Sequence, residues 1–334
     1  MSQVYPVGID VSASTLQVAL SISSEEIKQA TFNNDQKGHR ALMRWLTKKG
    51  RHVRVCLEAT GLYSLPIALA LHQHRRAAVS VVNPKAIAHY AQARLQRAKT
   101  DPIDARLILD YTQRMPFQPF QPFQPPAPEV MQLQALTRRI NQLNGEITRE
   151  RNRLHGQDYR PDGEDLIAKD IKVNIRHLKR RIKRIQNQAC AIVSKSQSMK
   201  RHFKRLLSIP GIAQISALRI LSELSVLPKD MTPPQWVAHA GLDPKPKESG
   251  TTINRPRRIS KGGNKYLRTA LYMPALVAIR HHQNVKAFYD KLIARGKKPL
   301  QAIVAVMRKL LHAIWGVWTY DQDFDGQKFY KLNA

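Results

Sequence analysis

Residues Phe117–Pro128 read FQPFQPFQPPAP, three Phe-Gln-Pro repeats closed by Pro126 and Pro128. Proline has no amide hydrogen and a fixed φ, so a stretch with proline at every third place can be neither a helix interior nor a central strand. The texture of the sequence changes across it. The segment 116–128 reads as a semi-rigid, extended linker, with a proline-motif ligand as the alternative.

The part before it, residues 1–115, alternates strand and helix patterns. Val4–Ile9 is a short apolar run ending in Gly8-Ile9-Asp10, and Thr15–Ile22 follows a Ser/Ala turn, so the two read as a hairpin. Ile27–Phe32 is a third strand. Helical sequence then runs from about 37 to 48, Val53–Leu57 reads as a buried strand ending at Glu58, and a helix starts near Leu62. Ala77–Val82 is a further strand, with helices at about 86–98 and 101–112. Three hairpin-type strands followed by βαβ alternation predict an α/β domain with a mixed sheet.

The part after the linker is helical. In 129–205, Leu133, Leu136, Ile140, Leu143 and Ile147 step by three and four, as do Ile171, Ile175, Leu178, Ile182, Ile185, Ala189 and Ile192. These are heptad seams, predicting either a helical hairpin or an oligomerising coiled coil. Residues 206–334 read as a mostly helical carboxy-terminal domain, with helices at about 265–281, 284–294 and 299–318 around a basic Gly/Ser/Pro loop. The fold class expected is α/β plus mostly α.

The balance of 55 Lys+Arg against 24 Asp+Glu gives a formal charge of +31. Such a body needs a polyanion, and nucleic acid is the usual one. No acid occurs from Ile171 through Ser222, and Arg180, Arg181, Lys183 and Arg184 form an outward basic run. It reads as a nucleic-acid contact, with a solvated face as the bland alternative. No continuous apolar run of about 18 residues and no signal peptide is evident, and two cysteines without metal-ligand spacing point to a reduced, cytosolic protein.

Against that background four acids stand out. Asp10 and Glu58 close two strands; if those strands are neighbours, both carboxylates emerge at one edge. Asp101 and Asp104 lie three apart at a helix start, on one helix face. Each taken singly also suits a cap. Together they would repel unless cations lay between them, and hard oxygen ligands favour Mg²⁺ or Mn²⁺. Two such ions roughly 4 Å apart can hold the attacking and leaving oxygens of a phosphodiester.

VGIDVS, CLEATGLY, VVNP and KTDPIDAR, in this order, resemble the amino-terminal DEDD domain of one class of bacterial insertion-sequence transposases, a RuvC-like version of the RNase H fold. SIPGI, HAGLDP, ESG, RISKGGNKYLRTALYMPAL and MRKLL resemble their carboxy-terminal transposase domain. The resemblance implies a bridge-RNA-guided recombinase acting on donor and target DNA, a dimer or tetramer in the bacterial cytoplasm at the nucleoid. It makes Asp10, Glu58, Asp101 and Asp104 the metal-binding acids and Ser249, in ESG, the nucleophile that becomes attached to DNA. Metal and serine would then meet in a composite site, with Lys245, Lys247, Arg255, Arg257, Arg258 and Lys261 holding the backbone. By residue physics alone, Ser249 reads as a turn residue before Gly250, and Ser260 is a rival in an equally basic setting. Ala213 stands where a glycine would complete the usual SIPGI turn, and the lysine of many relatives is missing after Asp10. Two other readings stay open: a metal-dependent nuclease of the Holliday junction resolvase type, and a non-catalytic nucleic-acid scaffold.

Overall fold

The computed structural model describes residues 3–95, 101–114, 122–159, 165–245, 248–249, 253–254 and 258–332, with residues 101–103, 165, 248–249 and 253–254 described by backbone alone. The chain forms two compact units that divide at Pro125/Pro126, inside the proline-rich stretch.

The first unit is a five-stranded mixed sheet. Its strands are β1 (Val4–Val11), β2 (Thr15–Ser21), β3 (Ile27–Asn33), β4 (His52–Glu58) and β5 (Ala77–Val82), in the order β3-β2-β1-β4-β5. The first three are antiparallel neighbours, while β4 runs parallel to both β1 and β5. Helices α1 (Gln36–Leu46) and α2 (Ser64–His72) contribute Leu42, Leu46, Ile67 and Leu71 to one core, together with Val7, Ile9, Val18, Val55 and Leu57. Helices α3 (Pro84–Ala93) and α4 (Asp101–Arg114) pack around Cys56, with Ile87, Leu107, Ile108 and Tyr111, and Ala105 and Leu109 meet Ala19. Because strand side chains alternate, odd positions of β1 and β4 fill the first core and even ones face α4. Parallel β4 is buried on both faces only from Val55 to Leu57, where the sequence is unbroken apolar; Arg54 before them is exposed.

Of the proline-rich stretch, residues 122–128 are described. Phe123 donates its amide hydrogen to Val79 O (2.6 Å) on β5, and its ring stands edge-on to His72. That repeat is tied to the sheet; 116–121 lie outside the described residues.

In the second unit α5 (Pro128–Gln157) and α6 (Asp165–Lys195) form an antiparallel hairpin. Ile140, Leu143 and Ile147 meet Ile171, Ile175, Leu178 and Ile182, so the two heptad seams cover one another within the chain. At its base Val130, Leu133, Ala189 and Val193 join a large core with α7 (Gln197–Leu207), α8 (Gln214–Leu224) and α9 (Pro233–His239). The expected segments 129–205 and 206–334 thus share one core. Two-residue strands β6 (Pro244–Lys245), β7 (Glu248–Ser249), β8 (Ile253–Asn254) and β9 (Arg258–Ile259) follow. The chain ends in α10 (Lys265–His281), α11 (Gln283–Ala294), α12 (Pro299–Thr319) and short α13 (Gly326–Phe329).

By length and mean hydropathy α12 could cross a membrane, yet Arg308, Lys309 and His312 interrupt it, so it is no continuous apolar run. Met307, Leu310, Leu311 and Ile314 on this helix lie buried in the second unit's core. His282 sets its ring edge-on to Phe324. The aromatic residues near the carboxy terminus pack: Trp318 stacks on His202 at 3.9 Å, and Trp315 donates to Met231 O (2.9 Å).

Candidate active site

The sheet order makes β1 and β4 direct neighbours. Ile9 pairs with Leu57, so Asp10 and Glu58, the next residue of each strand, leave the sheet at the same edge. Both are even-numbered positions and share the face of Gly8 and Cys56, the one α4 covers. Helix α4 carries Asp101 and Asp104 in its first turn.

What lets α4 come down on that face is Gly8. A Cβ there would stand 2.3 Å from Leu109 N and 2.4 Å from Ala105 O, both backbone atoms. Backbone thus lies against backbone two residues before Asp10 and one residue after Asp104. Three of the four acids, Asp10, Glu58 and Asp104, are described with side chains. Each has a polar or electrostatic partner, and among the described residues no three Asp, Glu, His or Cys groups stand close enough to hold one ion. Asp101 is placed by its backbone alone. The elements are therefore assembled, while the described carboxylates are not closed around a common centre. As a donor set, four carboxylates suit a hard divalent cation.

Asp110, a fifth acid on α4, belongs to the packing. It accepts from Tyr90 Oη (2.7 Å) and pairs with Arg94 (3.4 Å) and Arg114, tying α3 to α4.

Sequence reasoning missed a clamp behind the acid edge. Asn34 donates through Nδ2 to Ser12 O (2.8 Å) and to Tyr63 O (3.1 Å). It so joins the turn after Asp10 to the turn after Glu58. With the amide nitrogen donating, Oδ1 must accept, and it does so from Nε2 of buried His39 (2.8 Å). Burial holds the His39 imidazole below its ordinary pKa. Nothing in NNDQ marks this role; the residues read as a break between strand and helix.

In the second unit the ESG segment lies on a small hairpin. Pro244 and Lys245 pair with Ile259 and Arg258, and beyond them Glu248 and Ser249 pair with Asn254 and Ile253. The base is pinned: Ser260 donates its hydroxyl to the Asp243 carboxylate and its amide to Asp243 O (2.9 Å), and the Lys261 amide reaches Gly241 O (3.2 Å). Ser260, the rival nucleophile, is thereby engaged as a turn residue. The pinned base in turn rests on a buried charge cluster. Glu223, 2% exposed, accepts from Asn264 Nδ2 (2.7 Å), Gln134 Nε2 (3.1 Å) and Arg138 Nε (3.0 Å). Asn264 also caps α10 and receives its own backbone register from His239 O (2.6 Å). Burial lowers the His239 pKa, opposed by the nearby Glu223 charge.

Arg180, Lys183 and Arg184 are exposed on α6 and Arg181 is half-buried; Lys245, Arg258 and Lys261 are exposed about the hairpin. Lys247, Arg255 and Arg257 lie outside the described residues. In the SIPGI turn, Gly211 has φ +85°, and a Cβ on it would stand 2.3 Å from Pro274 O of α10. The turn is thus built for packing against that helix.

Comparison with known proteins adds two family matches. Residues 7–157 match the DEDD transposase domain of the IS110 type, described as "Transposase", and residues 203–290 match "Transposase IS116/IS110/IS902 family". The chain is 28% identical over 335 residues to the "Pilin gene-inverting protein" of Moraxella bovis, covering 97% of this chain and 98% of that protein. The protein of the same name from Moraxella lacunata is also 28% identical over 335 residues. An uncharacterized 42 kDa protein of insertion element IS900 from Mycobacterium paratuberculosis is 30% identical over 134 residues, 38% of this chain and 32% of that one.

Proposed function

As the chain belongs to the IS110-family transposases, enzymes that act on DNA, we propose that it cuts and rejoins DNA through two sets of its own residues. The first is the acid edge of an RNase H-like sheet: Asp10, Glu58, Asp101 and Asp104 hold divalent cations, Mg²⁺ or Mn²⁺. The observation that carries this is the backbone contact of Gly8 with Ala105 and Leu109, which puts the helix bearing two of the acids on the strand bearing a third. When bound, such cations would neutralise charge on a phosphodiester and polarise it toward attack.

The second set is the pinned hairpin with Ser249. Its hydroxyl attacks the phosphorus of a DNA strand: an Oγ–P ester forms, a P–O bond to the departing strand breaks, and the proton passes to the departing oxygen. Each phosphodiester lost is replaced by a phosphoserine ester, so a strand hydroxyl can reverse the step and rejoin DNA with no energy source. Arg258, Lys261 and Lys245, with Lys247, Arg255 and Arg257, supply charge for the backbone. A structured guide RNA and a dimer or tetramer complete this reading. The charge of +31 supports a large polyanionic load and does not favour DNA over RNA.

The test incubates protein, element-encoded RNA, Mg²⁺ and cognate DNA, then denatures and looks for DNA attached to protein. An adduct that disappears in Ser249→Ala and on chelation of the metal supports the proposal. Cleavage that persists in Ser249→Ala overturns the serine step and leaves a nuclease using activated water. Activity intact in Asp10→Asn or Asp104→Asn overturns the role of the acids.

A further inference from the structure

On the sheet face opposite the one α4 covers, an open groove of about 1180 Å³ runs between α1 and α2, joined to the turn after Asp10 through Asn34. Lys37, Arg40 and Arg44 line one wall, all exposed. Spaced by three and four residues, they share one face of α1 and follow one another at axial steps of about 4.5 and 6 Å. Among the described residues no carboxylate is ion-paired to any of the three. Asp35, which also lines the groove, uses its carboxylate to cap the helix through Gly38 N (2.7 Å).

The groove ends at Asn34, and Asn34 holds the Leu62–Tyr63 loop through Tyr63 O. There two large apolar side chains face solvent: Leu62 is 80% exposed and Tyr63 53%. The loop beneath them is fixed, since Ala59 N continues the ladder to Val82 O (2.9 Å) and Thr60 N reaches Glu58 O (2.9 Å). An exposed tyrosine on a fixed loop, joined by its backbone through Asn34 to a groove lined with unpaired cations, offers the pairing that a single strand uses: a π-face for a base and charges for its phosphates.

We propose that this groove binds a single strand of DNA, with a base stacked on Tyr63 and the backbone running along Lys37, Arg40 and Arg44, away from the acids. The claim that this strand is the one being cut rests on the reading of the acid edge; the binding does not.

The test measures affinity of the full chain for a fluorescent oligothymidine in EDTA, at roughly 50 to 200 mM salt. Three single-strand phosphate contacts contribute about 2 to the slope of log K against log salt. The variant Lys37→Gln/Arg40→Gln/Arg44→Gln should lose that much, and Tyr63→Ala should bind about five- to a hundredfold more weakly while Tyr63→Phe stays near the parent. A strand carrying 5-iodouracil should cross-link to the peptide containing Tyr63. These readouts remain local although other basic surfaces also bind DNA, and the substituted side chains are exposed, so thermal melts should not move. An unchanged slope together with cross-links only elsewhere overturns the proposal. So do effects seen with oligouridine RNA alone, which would make the groove an RNA site, or a changed oligomeric state with DNA binding intact, which would make it a contact between copies. Failure of the acid reading would show separately, as recombination surviving in Asp104→Asn with these affinities unaltered.

Discussion

The amide nitrogen of Leu109 lies where a Cβ of Gly8 would come within 2.3 Å of it, so the strand that carries Asp10 and the helix that carries Asp104 meet with no side chain between them. The approach of Asp10 and Asp104, far apart in the sequence, is therefore set by a missing methyl group. Replacing Gly8 by Ala forces backbone atoms apart, and neither Ala105 O nor Leu109 N can rotate away. Overpacking of this kind costs about 1–3 kcal/mol. Urea unfolding of Gly8→Ala should show that loss, and DNA cutting should fall further than the loss of folded protein explains.

The Asn34 clamp predicts a coupled pair. Asn34→Ala leaves Ser12 O and Tyr63 O without their donor and should destabilise by about 1–3 kcal/mol. His39→Ala removes the group that orients the amide. Because the two act through one hydrogen bond, the double variant should be less damaged than the sum of the singles, by at least about 0.5 kcal/mol in a double-mutant cycle. Strict additivity would show that the clamp does not exist.

Arg138→Ala should be among the more damaging changes in the second unit, since it leaves buried Glu223 without its cation. Breaking a buried pair costs about 3–5 kcal/mol. The remaining donors Gln134 and Asn264, and partial exposure of Arg138, place the expected value toward the lower figure. Arg138→Ala/Glu223→Gln should recover part of it, and equilibrium unfolding measures both.

Ser249 and Ser260 should separate cleanly. Ser260→Ala loosens the hairpin base by losing its bond to Asp243, so covalent adduct should form more slowly but still form. Ser249→Ala should abolish it. Mass spectrometry of the adduct peptide decides the attachment point, and attachment at Ser260 would reverse the assignment.

Acid should destabilise the fold through histidines held in its interior. Burial lowers the folded-state pKa of buried His39 and of half-buried His202 and His239 below the ordinary 6.5. Between the folded and unfolded pKa values the unfolded chain binds more protons, so stability falls as pH drops through about 6.5 and below. Above that window these histidines are neutral in both states and contribute no slope. Thermal melts at pH 7.5 and 5.5 should differ in that direction, and less so in His39→Gln.

Much of the layout was legible because it is written in short-range periodicity. The alternation in VYPVGIDV and the three-four steps of the heptad seams depend only on neighbours in sequence, and the strands and helices lie close to where those patterns put them. The four acids stood out because a strand end and a helix start are local signals. Asn34 and Glu223 escaped notice because each acts on partners distant in sequence, Asn34 on Tyr63 and Glu223 on Arg138 and Asn264, and His39 matters only through Asn34. Their roles exist only after the chain has brought those partners together.

The sequence by itself determined a basic chain with an α/β front, a proline repeat that no regular element can absorb, and a helical remainder read as two segments, 129–205 and 206–334. It also singled out four acids as candidates, and Ser249 only through the resemblance. Only the tertiary structure decided that β1 and β4 are parallel neighbours, that the seams of α5 and α6 cover each other, and that Gly8 admits α4 onto the acid-bearing face. The physical reason is reach. Periodicity and charge are sums over nearby residues, whereas which strand lies beside which, and how closely a helix can settle on it, is a contest among contacts between residues far apart in the chain.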